Sequence, residues 1–327
     1  MRAIILIISA LLGAFRTSYS QTSRSIVLLF AGDLTLADHI DSDVGERVDY
    51  VFQKWHAVGE YDVFMVNLEN PITLSSRAEK KEFTFRMHPR YLRTLETARI
   101  NIVDLANNHI GDYGAQGLDD TMRYLDSAGI HYVGAGRDLE QARRPFVVEK
   151  EGRRIGFLAY AGGKFAARRD KPGFAPRDES CIVSDVKKLR DSVDYLVVSF
   201  HWGMELEKRP SREQEGLAHE VIDAGADLIV GHHPHTLQGI ERYKGGVIAY
   251  SLGNFVFGGN GLDTYPTAIL KVSLQNRSAT VELVPIQVTH WQPCLPGDQV
   301  RAGVVDLVRS RSQIFPKSIS FSSGASR

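Results

Sequence analysis

Cysteine is scarce. Cys181 and Cys294 are the only two in 327 residues, too few for a four-cysteine zinc knot. They can pair in an oxidising compartment, but no spacing motif around them marks a disulfide. An excess of charge of either sign is also missing: 39 lysines and arginines balance 39 aspartates and glutamates. That excludes a nucleic-acid binder working through a global basic field, and nucleic acid is not an expected partner. Past the N-terminus no apolar run reaches the roughly 20 residues that cross a membrane. There is no internal repeat and no clear linker, and a charged fraction of 24% is that of a globular protein.

What is present begins with "MRAIILIISALLGAFRTSYS", residues 1–20. Basic Arg2, an apolar run over 3–15 and small Ser18 and Ser20 form the pattern of a secretory signal peptide cut after Ser20. An uncleaved anchor is the alternative. Either places the folded part outside the cytoplasm, in the periplasm or at the cell surface. One domain is expected over residues 24–296. A C-terminal extension over 297–327, rich in Ser, Arg and Gly, is expected to be partly disordered.

Apolar, β-branched runs recur at 25–33, 61–69, 100–109, 153–161, 194–203, 226–235 and 246–257. Continuous apolar runs mark strands buried on both faces. Helix-like patterns lie between them at 89–98, 114–128, 184–193 and 211–224. This alternation predicts an α/β layered domain. Residues 267–288 read as two strands around a turn at 275–277, an antiparallel hairpin, so the sheets are mixed.

The ends of these runs carry the chemistry. Asp33 ends the first, Glu69 the second, Asn107, Asn108 and His109 the third, and His201 the fifth. His232, His233 and His235 end the sixth. Ligands collect at the carboxyl ends of strands in α/β sheets. Carboxylate, amide oxygen and imidazole together suit a divalent ion such as Mn, Zn or Fe. In "GHHPH", Gly231 lets the chain turn off the strand, and Pro234 fixes the backbone so that His233 and His235 can face one ion. His232 is read as orienting a ligand by hydrogen bonding, and Asn107 as part of the same neighbourhood. Isolated His219, on a helix pattern, reads as a surface residue. Ser251 and Asn254, in "SLGNFVF", are read either as lining the same edge near substrate or as turn residues.

With these residues assembled, the chain resembles the CapA capsule-synthesis family, also called PgsA, which is similar in fold to the calcineurin-like metallophosphatases. The stretches that carry the resemblance are "AGDLTLAD", "VNLENPIT", "LANNHIGDYGAQGLDDT", "VGAGRDLEQA", "VVSFHWGMEL", "GADLIVGHHPHTLQG" and "IAYSLGNFVF". The resemblance implies a four-layer α/β/β/α sandwich of the metallophosphatase-like type. It implies a role in making, exporting or anchoring poly-γ-glutamate or a related capsular polymer, beside a membrane-bound synthesis complex. Carried over, it makes Asp33, Asn108, His201, His233 and His235 metal ligands and His109 the catalytic histidine; Asp112, three residues on, is read as orienting His109. Two departures stand out. Thr35 occupies the place of the histidine in the metallophosphatase Asp-x-His motif, and Glu69 is the substitute for its bridging aspartate. One or two ions are therefore both open.

Two reactions fit: cleavage or transfer at a γ-amide, and phosphoester hydrolysis. The reading from a different class is a non-catalytic polymer-binding or assembly factor with a vestigial site. Arg86, Lys164, Arg168, Arg169 and Lys171 would then meet the polyanion, although the last four also fit a solvated charged face.

Overall fold

The computed structural model describes residues 24–276 and 278–315. The expected signal segment and residues 316–327 of the expected C-terminal extension lie outside them. The chain runs β1 (Ile26–Thr35), α1 (His39–Val44), β2 (Val63–Leu68), α2 (Leu92–Thr97), β3 (Ile102–Asp104) and α3 (Gly114–Ala128). There follow β4 (His131–Val133), β5 (Ala135–Gly136), α4 (Leu139–Ala142), β6 (Phe146–Lys150), β7 (Arg153–Ala161), β8 (Gly173–Phe174), α5 (Glu179–Arg190) and β9 (Tyr195–His201). Next come α6 (Arg212–Asp223), β10 (Leu228–His232), β11 (Ile240–Tyr243), β12 (Gly246–Ala249) and β13 (Asn254–Phe257). The chain closes with β14 (Thr264–Gln275), β15 (Ser278–Thr289), β16 (Gln292–Cys294) and α7 (Asp298–Ser312).

Two mixed sheets stack face to face. One has the order β16-β15-β14-β1-β2-β3-β4, with β13 also paired to β1; the other runs β11-β12-β10-β9-β7-β6. Alternation along the strands builds the layers. Phe157, Val197, Leu228, Val230 and Val247 point from the second sheet into the core shared with the first. Their neighbours Leu158, Leu196, Val198, Ile229 and Ile248 point outward, onto Ile182 and Val186 of α5 and Leu217 and Val221 of α6. Leu95 of α2 and Leu118 and Met122 of α3 cover the first sheet. The result is the four-layer α/β/β/α sandwich with mixed sheets. Each fully buried Leu or Ile contributes on the order of 2 kcal/mol, so these cores sustain the fold while polar groups gather at one end.

Three local readings need correction. The 246–257 run is not one strand. β12 pairs with β10 in the second sheet and β13 with β1 in the first, so residues 250–253 carry the chain across. Gly253, at φ 61°, makes that turn. The domain does not end near residue 296. α7 buries Val304, Val305 and Val308 against the domain, because those valines recur at helical spacing inside a Ser- and Arg-rich composition. Finally, α5 starts at Glu179, before 184, because the Asp178 side chain caps it by accepting from Cys181 N. Cys181 and Cys294 are both free thiols.

The crossover needs two close approaches. A Cβ on Gly32 would lie 1.8 Å from Gly253 O, and one on Gly231 2.0 Å from Tyr250 O. Neither obstacle is a movable side chain. Gly32→Ala is therefore expected to lower stability by about 3 kcal/mol, read as the shift in a urea unfolding midpoint. A midpoint within error of wild type would show that the crossover yields.

Candidate metal centre

β1 and β2 run parallel in one sheet, and β9 and β10 run parallel in the other. Their carboxyl ends meet where the sheets converge. Asp33 and Glu69 are wholly buried there, His201 and His232 nearly so. The ligand atoms of Asp33, Glu69 and His201 lie within 4.8 Å of one another, as do those of Glu69, His233 and His235. Glu69 belongs to both sets, the place a carboxylate bridging two ions would take. Asn108 joins them through its side-chain oxygen, 2.8 Å from His201 Nε2. The structure thus brings together all six expected ligands.

Asn67 organises the donors, and its role was not read from sequence. Its amide donates to Asp33 Oδ1 at 2.8 Å and approaches Glu69 Oε2 at 3.4 Å and His201 Nδ1 at 3.3 Å. Its oxygen accepts from Asn107 Nδ2 at 3.0 Å. Asn107 in turn uses Oδ1 to accept from His109 N and Ile110 N, so it builds the turn that carries Asn108 and His109. Its placement inside "VNLEN", two residues before Glu69, was the available signal for Asn67.

Burial and the neighbouring imidazoles set the electrostatics of the two acids. Burial pushes the Glu69 carboxyl well above its usual range, and Asp33 beside it adds to the rise. Asp33 is pushed the same way by burial, but His232 and His235 outweigh that and hold it well below. Burial lowers His201 and His233. It opposes His235 as well, but Glu69 and Asp33 push that ring up to about 10. Glu69 Oε1 and His233 Nδ1 are buried without a hydrogen-bond partner. His232 Nδ1 lies 3.2 Å from Asp33 Oδ1 without hydrogen-bond geometry. Buried polar atoms are rarely left so, and Glu69 and His233 belong to one group of candidate ligands. The donor set, carboxylates and imidazoles with one amide, fits a divalent ion such as Mn, Zn or Fe.

His109 stands beside this group, 6% exposed. Its Nδ1 is 2.8 Å from Asp112 Oδ2. Burial lowers its pKa against the opposing pull of Asp112. Asp112 has further duties. It accepts from Lys81 Nζ at 2.5 Å, from Phe85 N at 2.6 Å and, through its carbonyl, from Glu79 N at 2.8 Å. These contacts fasten residues 73–87 over the site as a strap, closed at its base by Thr73 and Met87. Phe85 lays its ring 4.3 Å from that of His109, and Phe257 lies 4.8 Å from His235. Neither Lys81 nor Phe85 carried a signal in the sequence, where the strap reads as loop.

Some expected residues sit elsewhere. Arg86 is exposed; it donates to Ser75 O and lies over Tyr113, holding the strap to itself and the following loop. Ser251 uses Oγ to accept from Gly253 N, a turn role. Asn254 reaches a ligand directly, with Oδ1 2.8 Å from His235 Nδ1. His219 is not a free surface residue, since its Nε2 is 3.0 Å from buried Glu241.

Two of these buried acids can be probed by substitution. Lys81→Met removes the cation on Asp112, and amide exchange at Glu79 and Phe85 should then accelerate by about tenfold or more; unchanged exchange would show the strap held by other contacts. The second acid is Asp104, which links the sheets by accepting from Ser199 Oγ at 2.5 Å and Ala106 N at 2.6 Å. Burial pushes its carboxyl up to about 6, above an unfolded value of about 3.9. The folded state keeps this proton longer, so the contribution is complete below about pH 4 and lost as pH rises through about 6, roughly 3 kcal/mol in all. Metal-free Asp104→Asn should lack that decline in urea unfolding at pH 4 to 6, and a wild-type slope would assign it to another group.

The sequence model of the family described as bacterial capsule synthesis protein PGA_cap matches residues 27–259. A capsule biosynthesis protein CapA of Bacillus anthracis is 32% identical over 290 residues, 84% of this chain and 70% of that protein. A PGA biosynthesis protein CapA of Bacillus subtilis (strain 168) is 32% identical over 273 residues, 81% and 72% of the two chains. Among solved structures, a hypothetical protein from Thermus thermophilus aligns with a TM-score of 0.49 at 18% identity, over 80% of this chain and 100% of that one. This chain belongs to the bacterial capsule synthesis protein family, PGA_cap.

Proposed function

We propose that this chain acts outside the cytoplasm in making, exporting or anchoring a poly-γ-glutamate-type capsular polymer, through a divalent-metal hydrolase-type site. Family membership and the names of the Bacillus relatives support the polymer. The pattern of residues 1–20 supports the address. The observation that carries the site is Glu69, a buried carboxylate with an unpartnered oxygen, shared by two sets of candidate ligands.

Asp33, Glu69, Asn108, His201, His233 and His235 would hold one or two ions. A bound ion supplies Lewis acidity toward the substrate oxygen and toward an attacking water. The chain supplies the rest. Asp112 takes Nδ1 of His109, which leaves Nε2 as the nitrogen that protonates the leaving group. Burial, which lowers the His109 pKa, makes the imidazolium a readier acid. Phe85 over the ring excludes water from it. For a γ-amide, the oxygen of water adds to the carbonyl carbon, the C–N bond breaks, the amine leaves with the proton from His109, and the proton shed by the water restores the His109 imidazolium as the new carboxylate forms. A phosphoester would be cleaved with the same division of roles.

Elemental analysis of the purified chain is expected to find one or two divalent ions, with Glu69→Gln losing most of them. A wild-type chain that neither carries nor takes up Mn, Zn or Fe would sink the reading. His109→Ala should keep the metal and lose turnover by about a hundredfold or more. The second reading, a polymer-binding or assembly factor without catalysis, has one observation in its favour. Thr35 stands where the metallophosphatase pattern has a histidine, and its buried hydroxyl has no partner. Polymer yield in cells separates the two: His109→Ala abolishes it under the first reading and leaves it intact under the second.

A further inference from the structure

Arg311 belongs to α7, beyond the residues 27–259 that match the family. It is partly buried, and burial pulls its guanidinium below the usual value. Among the described residues it has no carboxylate partner. Its Nη1 donates instead to Thr236 Oγ1 at 2.9 Å and to Leu237 O. A half-buried cation spent on a hydroxyl and a carbonyl, with no ion pair, is costly to keep unless what it holds is worth holding.

What it holds is the segment directly after the paired histidines. His233 has φ 92° and His235 φ 54°, both in the region where side chains crowd the backbone. Such residues cost about 1–3 kcal/mol each and persist only when their surroundings over-determine them. Part of the restraint comes from inside the centre. His233 N donates to Asp33 Oδ2 at 3.3 Å, and His235 Nδ1 meets Asn254. Part comes from the crossover, where Gln238 N donates to Ser251 O and Leu237 bridges Leu252. Arg311 is the restraint that comes from α7. That helix is itself seated on the departing strand: Ser312 Oγ accepts from Ile240 N at 2.9 Å, Phe315 stacks on Tyr250, and a Cβ on Gly239 would lie 2.5 Å from Arg311 O.

We propose that Arg311 is a positioning residue for the His233 and His235 ligand pair: by gripping Thr236 and Leu237 it keeps both imidazoles in the turn that lets them face one ion. The proposal rests on the metal-centre reading above. It is tested on the full-length chain stripped with chelator and titrated with Co²⁺, reading both affinity and the visible d–d spectrum. Arg311→Met is expected to bind about ten- to a hundredfold more weakly, with a changed spectrum. Arg311→Lys should recover part of the affinity, because an ammonium can still donate to Leu237 O. If Arg311→Met melts earlier yet matches wild type in affinity and spectrum, Arg311 only docks the helix and the proposal is overturned. Should Arg311→Met not fold, Thr236→Val carries the test: about two- to fivefold weaker binding supports the proposal, and unchanged binding overturns it. A wild-type chain that binds no Co²⁺ or Zn²⁺ refutes the metal centre itself. That outcome is distinct from a variant that equals a metal-binding wild type.

Discussion

Asp33 and Glu69 are buried side by side, and no lysine or arginine reaches either among the described residues. Removing carboxylates from water costs several kcal/mol each unless charge and hydrogen bonds replace the solvent. Much of this end of the molecule is organised by that demand. Histidines approach from the second sheet, Asn67 turns its amide toward both acids, and glycines let the strands that carry these groups come close enough. The apolar layers could form without this arrangement. The particular convergence of strand ends answers the two acids.

Much of this was legible because strand burial and ligand placement both leave local marks. The runs that became β1, β2, β9 and β10 are largely apolar, and each brings a metal-competent side chain to or just past its end. α3 was readable to the residue, since its apolar spacing and the following Gly129 at φ 67° both punctuate it. What escaped was set by tertiary partners. Nothing in "GVIAYSLGNFVF" says that its first residues belong to one sheet and its last to the other. Lys81 gains its role only because residues 73–87 fold back on Asp112. The valines of α7 were masked by polar neighbours, and with them Arg311. The candidate ligands were visible; Asn67 and Lys81, which hydrogen-bond them or their neighbours, were not.

Asp112 illustrates a second economy of the fold. One carboxylate orients His109 and also fastens the strap. Loosening the strap and misaligning the histidine are therefore the same event seen from two sides. The position of the strap and the orientation of the His109 ring both depend on that single group. Beside the strap, the candidate ligand His235 keeps 14% of its side chain exposed.

The direction of β1 has a consequence for how the molecule is presented. The chain enters that strand at Ile26 and reaches Asp33 further along it, a span of about 23 Å at the usual rise. Under the anchor alternative of the proposed address, a tether before Arg24 would be attached at the end of β1 remote from the candidate ligands. Held in that way, the candidate centre would face away from its own point of attachment.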